Sequence, residues 1–196
     1  MNYLKTISLI ATLLFSFTLF AQDIQVVRLG GKVLVNNKPV TKSSILQYGD
    51  VIKALGAKTF IQVKFQDQSM VMLKDGEIVI EEPKNLKKPK NIVQLLKGMF
   101  FAYKKKNSST DMEVKTKNIS MGVRGTKFYV QESEKDTYLC VCEGVVSAQN
   151  KMGQVNVAKN QDLHALSSQK PVTQTASSTM IDMSYQGFAE MGFKIK

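Results

Sequence analysis

The chain has no tryptophan, one histidine, two cysteines, and only two arginines among its 27 basic residues. Each shortage removes a class of chemistry. A serine or cysteine triad needs a histidine base oriented by an acid. His164 stands in "QDLHA" near Asp162, with no nucleophile elbow in the chain, and reads as a surface residue at the end of the last strand. Glycine-rich phosphate cradles are absent. The adjacent acids Glu81-Glu82 read as a solvated loop pair rather than as hydrolase carboxylates. The expectation is a non-enzyme with no cofactor and no metal. Beyond the first twenty residues, no apolar run approaches the ~20 residues that cross a bilayer.

What is present begins with an export pattern. Met1 to Thr6 carries Lys5 and no acid, Ile7 to Phe20 is apolar apart from Ser and Thr, and small Ala21 precedes polar Gln22-Asp23. That order marks a secretory signal over residues 1–21. The mature chain is expected outside the cytoplasm, periplasmic or secreted, with no stable membrane span. The formal charge is +11, and much of it clusters at Lys84, Lys87, Lys88 and Lys90, then at Lys104, Lys105 and Lys106, with Lys97 between. Such a run either coats and solubilises a loop or attracts an anionic partner. For an exported chain that partner is an envelope protein or an anionic envelope polymer rather than nucleic acid.

From about Asp23 to Leu166 the pattern is one of short strands between turns. Residues 59–65 set Ile61, Val63 and Phe65 on one face, and residues 112–116 alternate Met112, Val114 and Thr116 against Glu113 and Lys115. Residues 126–130 group Thr126, Phe128 and Val130. Residues 138–142 are apolar on both faces and therefore central. Lys74-Asp75-Gly76 reads as a hairpin turn between 70–73 and 77–80, and 91–101 as a strand despite helical composition. Alternation with frequent Gly, Asn and Asp argues for half-buried antiparallel strands. The expected fold is all-β, a two-layer sandwich or rolled domain over 22–166, with a polar linker and tail over 167–196. Residues 179–193 offer a short amphipathic helix, capped weakly by Thr179 with Asp182 and weakened by Gly187. Residues 30–40 and 142–155 echo one another as two hairpins able to pair across a pseudo-twofold axis.

Cys140 and Cys142 point to one face of an extended strand, with Cα atoms ~6.5–7 Å apart, at the upper edge of disulfide geometry. They read as two buried thiols, as a strained redox-labile bridge, or as half of a metal site needing ligands from elsewhere. The other singular stretch is "SMGVRGTKFYV" (120–130). Arg124 stands between Gly122 and Gly125 in a lysine-rich chain. Its planar fork of donors reads first as a structural clasp across the fold, and second as a ligand contact.

These landmarks together resemble the FecR-domain family. "GKVLVNNKPV" with "LQYGDVIKA" looks like its opening strands and Gly-Asp turn, and "LLKGMFFAY" like its mid-domain strand. "MEVKTKNISMGVRGTKFYV" is similar to the family's strongest signature, carried here by Gly122, Arg124, Gly125, Thr126 and Phe128. "LCVCEGVVSA" resembles the following Glu-Gly strand pair, Glu143-Gly144. "FQDQS" departs from the family's Asp-Gly-Ser by placing Gln68 at the glycine. The resemblance covers about residues 25–165. It implies a β-rich extracytoplasmic module without catalytic residues. The best-known members relay a receptor signal to a sigma factor through a cytoplasmic segment and a membrane helix that precede the domain. Here the domain follows the expected signal directly. The first expectation is therefore a binding or scaffolding module of the envelope. The alternative is a signalling regulator that acts through a separate membrane partner.

Overall fold

The computed structural model describes residues 24–83 and 90–194. The expected signal at 1–21, together with Lys84, Lys87 and Lys88, lies outside the described residues. Fourteen strands and one helix follow in order. The first six strands are β1 (Ile24–Gly30), β2 (Val33–Val35), β3 (Lys38–Pro39), β4 (Ile45–Leu46), β5 (Val51–Ala54) and β6 (Phe60–Lys64). The middle of the chain forms β7 (Met70–Glu81), β8 (Lys90–Tyr103), β9 (Asp111–Lys115), β10 (Ser120–Glu132) and β11 (Thr137–Asn150). The chain closes with β12 (Gly153–Ala158), β13 (Gln161–Ala165), β14 (Gln174–Thr175) and α1 (Ser178–Glu190).

Among the described residues the strands form one hydrogen-bonded sheet with the central order β13-β11-β10-β9-β8-β7-β5. It does not close into a barrel. Pairing is antiparallel except between β8 and β9. The all-β expectation holds. One face gathers the main core, which runs from Ile52 of β5 through Phe100 and Phe128 to Leu163 of β13. These side chains are fully buried although no helix among the described residues packs on them, which requires the sheet to curl over its own inner face. No helix among the described residues is long and apolar enough to cross a membrane.

Four long strands carry the domain, and each changes phase once. The core takes Val71 and Leu73 but then Ile78 and Ile80 from β7, and Val93 and Leu95 but then Phe100 and Ala102 from β8. It takes Met121 and Val123 but then Phe128 and Val130 from β10, and Leu139 and Val141 but then Val146 and Ala148 from β11. The shift from odd to even positions marks an extra residue, a β-bulge. Lys74-Asp75-Gly76 is therefore a bulge inside β7 rather than a hairpin, since Lys74 pairs with Met99 and Glu77 with Lys97 of the same strand β8. Residues 138–142 and 144–148 are likewise one strand. The two echoing hairpins do not pair with one another: β2 joins β3 and β5, while β11 joins β12.

The second face of the sheet is covered by α1. Met72, Phe101, Tyr129, Tyr138, Cys140 and Cys142 meet Phe188 and Met191 in a separate apolar cluster. The tail thus seals one face of the sheet. Ser177, not Thr179, caps the helix, its Oγ accepting from the Met180 amide at 3.3 Å. The far end is tied by Lys74 to Glu190 at 2.9 Å and by Gln62 Nε2 donating to the Met191 carbonyl at 3.2 Å.

Candidate functional site

The bulge between β10 and β11 builds the most elaborate surface of the domain. Gly125 (φ +65°) and Gly144 (φ +84°) face each other across the two strands. A Cβ on Gly144 would stand 2.7 Å from both the Gly125 carbonyl oxygen and Thr126 Cγ2. Only glycine combines that backbone conformation with so close an approach. The bulge brings Lys127 opposite Glu143, and their side chains pair at 3.0 Å. Lys127 Nζ also lies 5.2 Å from the Phe193 ring centroid, and Phe193 packs on Tyr103 at 4.6 Å.

Two adjoining clefts share Lys127 and Glu143. The larger, about 410 Å³, adds Cys142, Lys159, Tyr185, Phe188, Phe193 and Lys194. The smaller, about 280 Å³, adds Tyr103, Lys104, Lys105, Lys106, Gly125 and Thr126. Apart from Lys104, whose ammonium is taken by Asp67, five lysines (105, 106, 127, 159 and 194) face the single carboxylate of Glu143. The hydrogen bond from Lys127 holds that carboxyl below the usual glutamate range, and the charges of Lys106 and Lys159 reinforce it. The groove carries surplus positive charge over an aromatic wall. It can hold an anionic group beside an apolar one, and it presents no nucleophile–base pair.

Two of the four described lysines of the sequence cluster are already paired within the domain. Lys90, at the start of β8, pairs with Glu113 at 3.1 Å. Lys104, read from the sequence as an anion contact, is 2% exposed and forms a buried ion pair with Asp67, supported by Ser108 at 3.0 Å. A buried ammonium needs such a partner, so Lys104 is structural. Lys105 and Lys106 are exposed and border the groove. Sequence reasoning missed Lys159, Lys194, Tyr185 and Phe193, which come from distant segments. Lys127 lay inside the signature and carried the one available signal.

Arg124 is not a buried clasp. Gly122 and Arg124 are exposed, alternating with core-facing Met121 and Val123. The phase change at Gly125 then turns Thr126, Phe128 and Val130 inward. Among the described residues no hydrogen bond or ion pair reaches the Arg124 guanidinium. His164 is exposed, its Nδ1 lying 2.5 Å from Asp136 Oδ2 and its ring 4.9 Å from Tyr138. The Ser133 hydroxyl donates to Asp136 Oδ1 at 2.9 Å, and among the described residues no hydrogen bond joins it to the imidazole.

Cys140 and Cys142 are free, buried thiols under α1. The neighbouring Cys142 thiol brings Cys140 down to about 7, and the Cys140 thiol together with burial pushes Cys142 up. Tyr185 Oη donates to the Cys142 carbonyl at 3.2 Å.

Residues 53–147 match the family model described as FecR protein. No curated protein matches the sequence. Two crystal structures of a protein from Parabacteroides distasonis ATCC 8503, named a putative anti-sigma factor, share the fold. Each is 16% identical with a TM-score of 0.57 and covers 70% of this chain. The chain spans 65% and 64% of the length of those two structures. The bulge residues Gly125, Thr126, Glu143 and Gly144, which shape the groove, fall inside the matched segment, so the groove is part of the FecR domain at residues 53–147.

Proposed function

We propose that the chain is a non-catalytic signalling module of a bacterial cell envelope, acting outside the cytoplasm by holding a protein partner in the Lys127–Glu143 groove. The observation that carries this reading is that Gly125, Thr126, Glu143 and Gly144 build a groove where five lysines face one carboxylate. An acid-bearing segment of a partner would neutralise that surplus, and Phe193 and Tyr185 would take an apolar neighbour. The FecR domain and the anti-sigma name of its fold relatives favour a regulator over a scaffold. The pairing of Lys90 with Glu113 and of Lys104 with Asp67 favours a compact protein partner over a polymer, because neither lysine is left free to hold a polyanion. The N-terminal order of lysine, apolar run and small residue supports export.

The test combines deletion of the gene with in-cell photo-cross-linking from a probe at the exposed position 159. The expected result is a discrete change in transcripts together with a cross-link to one envelope protein. An unchanged transcript profile in the deletion strain would count against the signalling reading.

A further inference from the structure

Cys140 and Cys142 lie on the same face of β11, while Val141 between them enters the main core. Around them β11 keeps its pairing, with Val141 opposite Phe128, Cys140 opposite Tyr129, and Cys140 also opposite Asp162 of β13. A disulfide between such positions would have to span Cα atoms ~6.5–7 Å apart, and closing it would disturb that pairing. The two thiols are free and belong to one buried cluster beneath the helix.

We propose that Cys140 and Cys142 form a two-thiolate site for a soft monovalent metal ion of the copper(I) type. The donor set decides the ion. Structural zinc takes four ligands, and among the described residues no group of three His, Cys, Asp or Glu converges. Thiolates select copper(I), an ion satisfied by few ligands. The surrounding cluster is sulfur-rich, since Met72 and Met191 belong to it and Met180 and Met183 pack against it.

Charge and access agree with this assignment. Binding releases two protons, one from each thiol, and leaves one cation between two thiolates, a net charge of one minus. Burying that charge requires a positive surrounding. Lys127, Lys159 and Lys194 line the cleft that reaches Cys142 and outnumber the two carboxylates nearby, Glu143 and Asp162. The same cleft gives the ion its way in and the protons their way out. An ion there would sit between β11 and α1 and couple helix docking to metal. The inference uses residues of the groove wall and does not depend on the signalling reading.

The test is a competition for copper(I) buffered by bicinchoninate, under argon, with the reduced mature chain. The expected result is one equivalent withdrawn per chain. The Cys140→Ser and Cys142→Ser variants should each bind at least ~100-fold more weakly, the scale that loss of even an outer partner of a metal site can reach. Copper K-edge absorption on the parent protein needs no variant and should report sulfur ligands alone. Failure of the parent to withdraw copper would overturn the proposal. So would undiminished uptake by the double Cys→Ser variant, nitrogen or oxygen ligation at the edge, or a 140–142 disulfide in protein isolated from the envelope under alkylating conditions.

Discussion

The ring of Phe101 fills the space that a side chain on Gly187 would need: a Cβ there would lie 2.0 Å from Phe101 Cε1. The glycine that lowers helix propensity is therefore what lets α1 reach the sheet. On an exposed helix, Gly→Ala gains ~1 kcal/mol. Here the expected outcome is the reverse. Gly187→Ala should lose ~1–3 kcal/mol through overpacking, read as a lower urea midpoint. It should also speed protease cleavage in the 167–177 linker as α1 lifts.

Lys104 and Asp67 make the second prediction. Burial pushes the Asp67 carboxyl up, but hydrogen bonds from Lys104, Ser108 and the Ser69 amide outweigh it and hold the carboxyl below the ordinary aspartate range. Lys104→Gln leaves a buried anion without its partner and should cost about 3–5 kcal/mol in urea unfolding. A carboxyl whose folded pKa is depressed stabilises the fold above its unfolded pKa of ~3.9 and loses that contribution as pH falls through the folded value. The parent should weaken below pH ~4, and an Asp67→Asn, Lys104→Gln double variant should lack that component of the acid limb.

Glu132 is the opposite case. Burial is the largest influence and pushes its carboxyl up, against the pull of the Thr137 hydroxyl and Lys117. Among the described residues its Oε1 has no hydrogen-bond partner, and Lys117 Nζ stands 3.6 Å away. For a raised folded pKa, the stabilising contribution is complete below the unfolded value, ~4.3, and disappears as pH rises through the folded one. Glu132→Gln should therefore raise the urea midpoint at pH 7, and the gain should vanish below pH ~4. A lower midpoint at pH 7 would show that the carboxylate is better satisfied than this geometry allows.

Arg124 should matter little to stability. It is exposed on β10, and surface substitutions away from special features stay within ~0.5 kcal/mol. Arg124→Ala and Arg124→Lys should both keep the parent's midpoint. A loss of several kcal/mol from either would restore the clasp.

Strand-level structure was legible because period-2 alternation survives wherever one face is buried. That is why the core-facing sets Ile61/Val63 and Phe128/Val130 could be read directly. The bulges were not legible, because an extra residue breaks the alternation just as a turn does. Asp75-Gly76 and Glu143-Gly144 carry turn chemistry, and only the pairing of both flanks to one neighbouring strand identifies them as bulges. Lys104 was misread because its partner lies 37 residues away and two more lysines, Lys105 and Lys106, follow it. Gln68 takes φ +67° at the position where the resemblance expected glycine, so the turn persists without the usual residue. The groove was half legible: the signature marks its wall, while Lys159, Lys194 and Phe193 arrive by tertiary folding alone.

The groove's role in signalling is tested most directly by complementing a deletion strain with a charge-reversed domain. Lys106 and Lys159 are exposed at the groove and act on Glu143 only through their charge, so Lys106→Glu with Lys159→Glu should leave the fold intact. Circular dichroism and the urea midpoint provide that control. The measurement is the transcript profile beside strains carrying the parent gene and none. The account predicts that the reversed protein, exported and folded, reproduces the profile of the deletion. A reversed protein that restores the parental profile would contradict it.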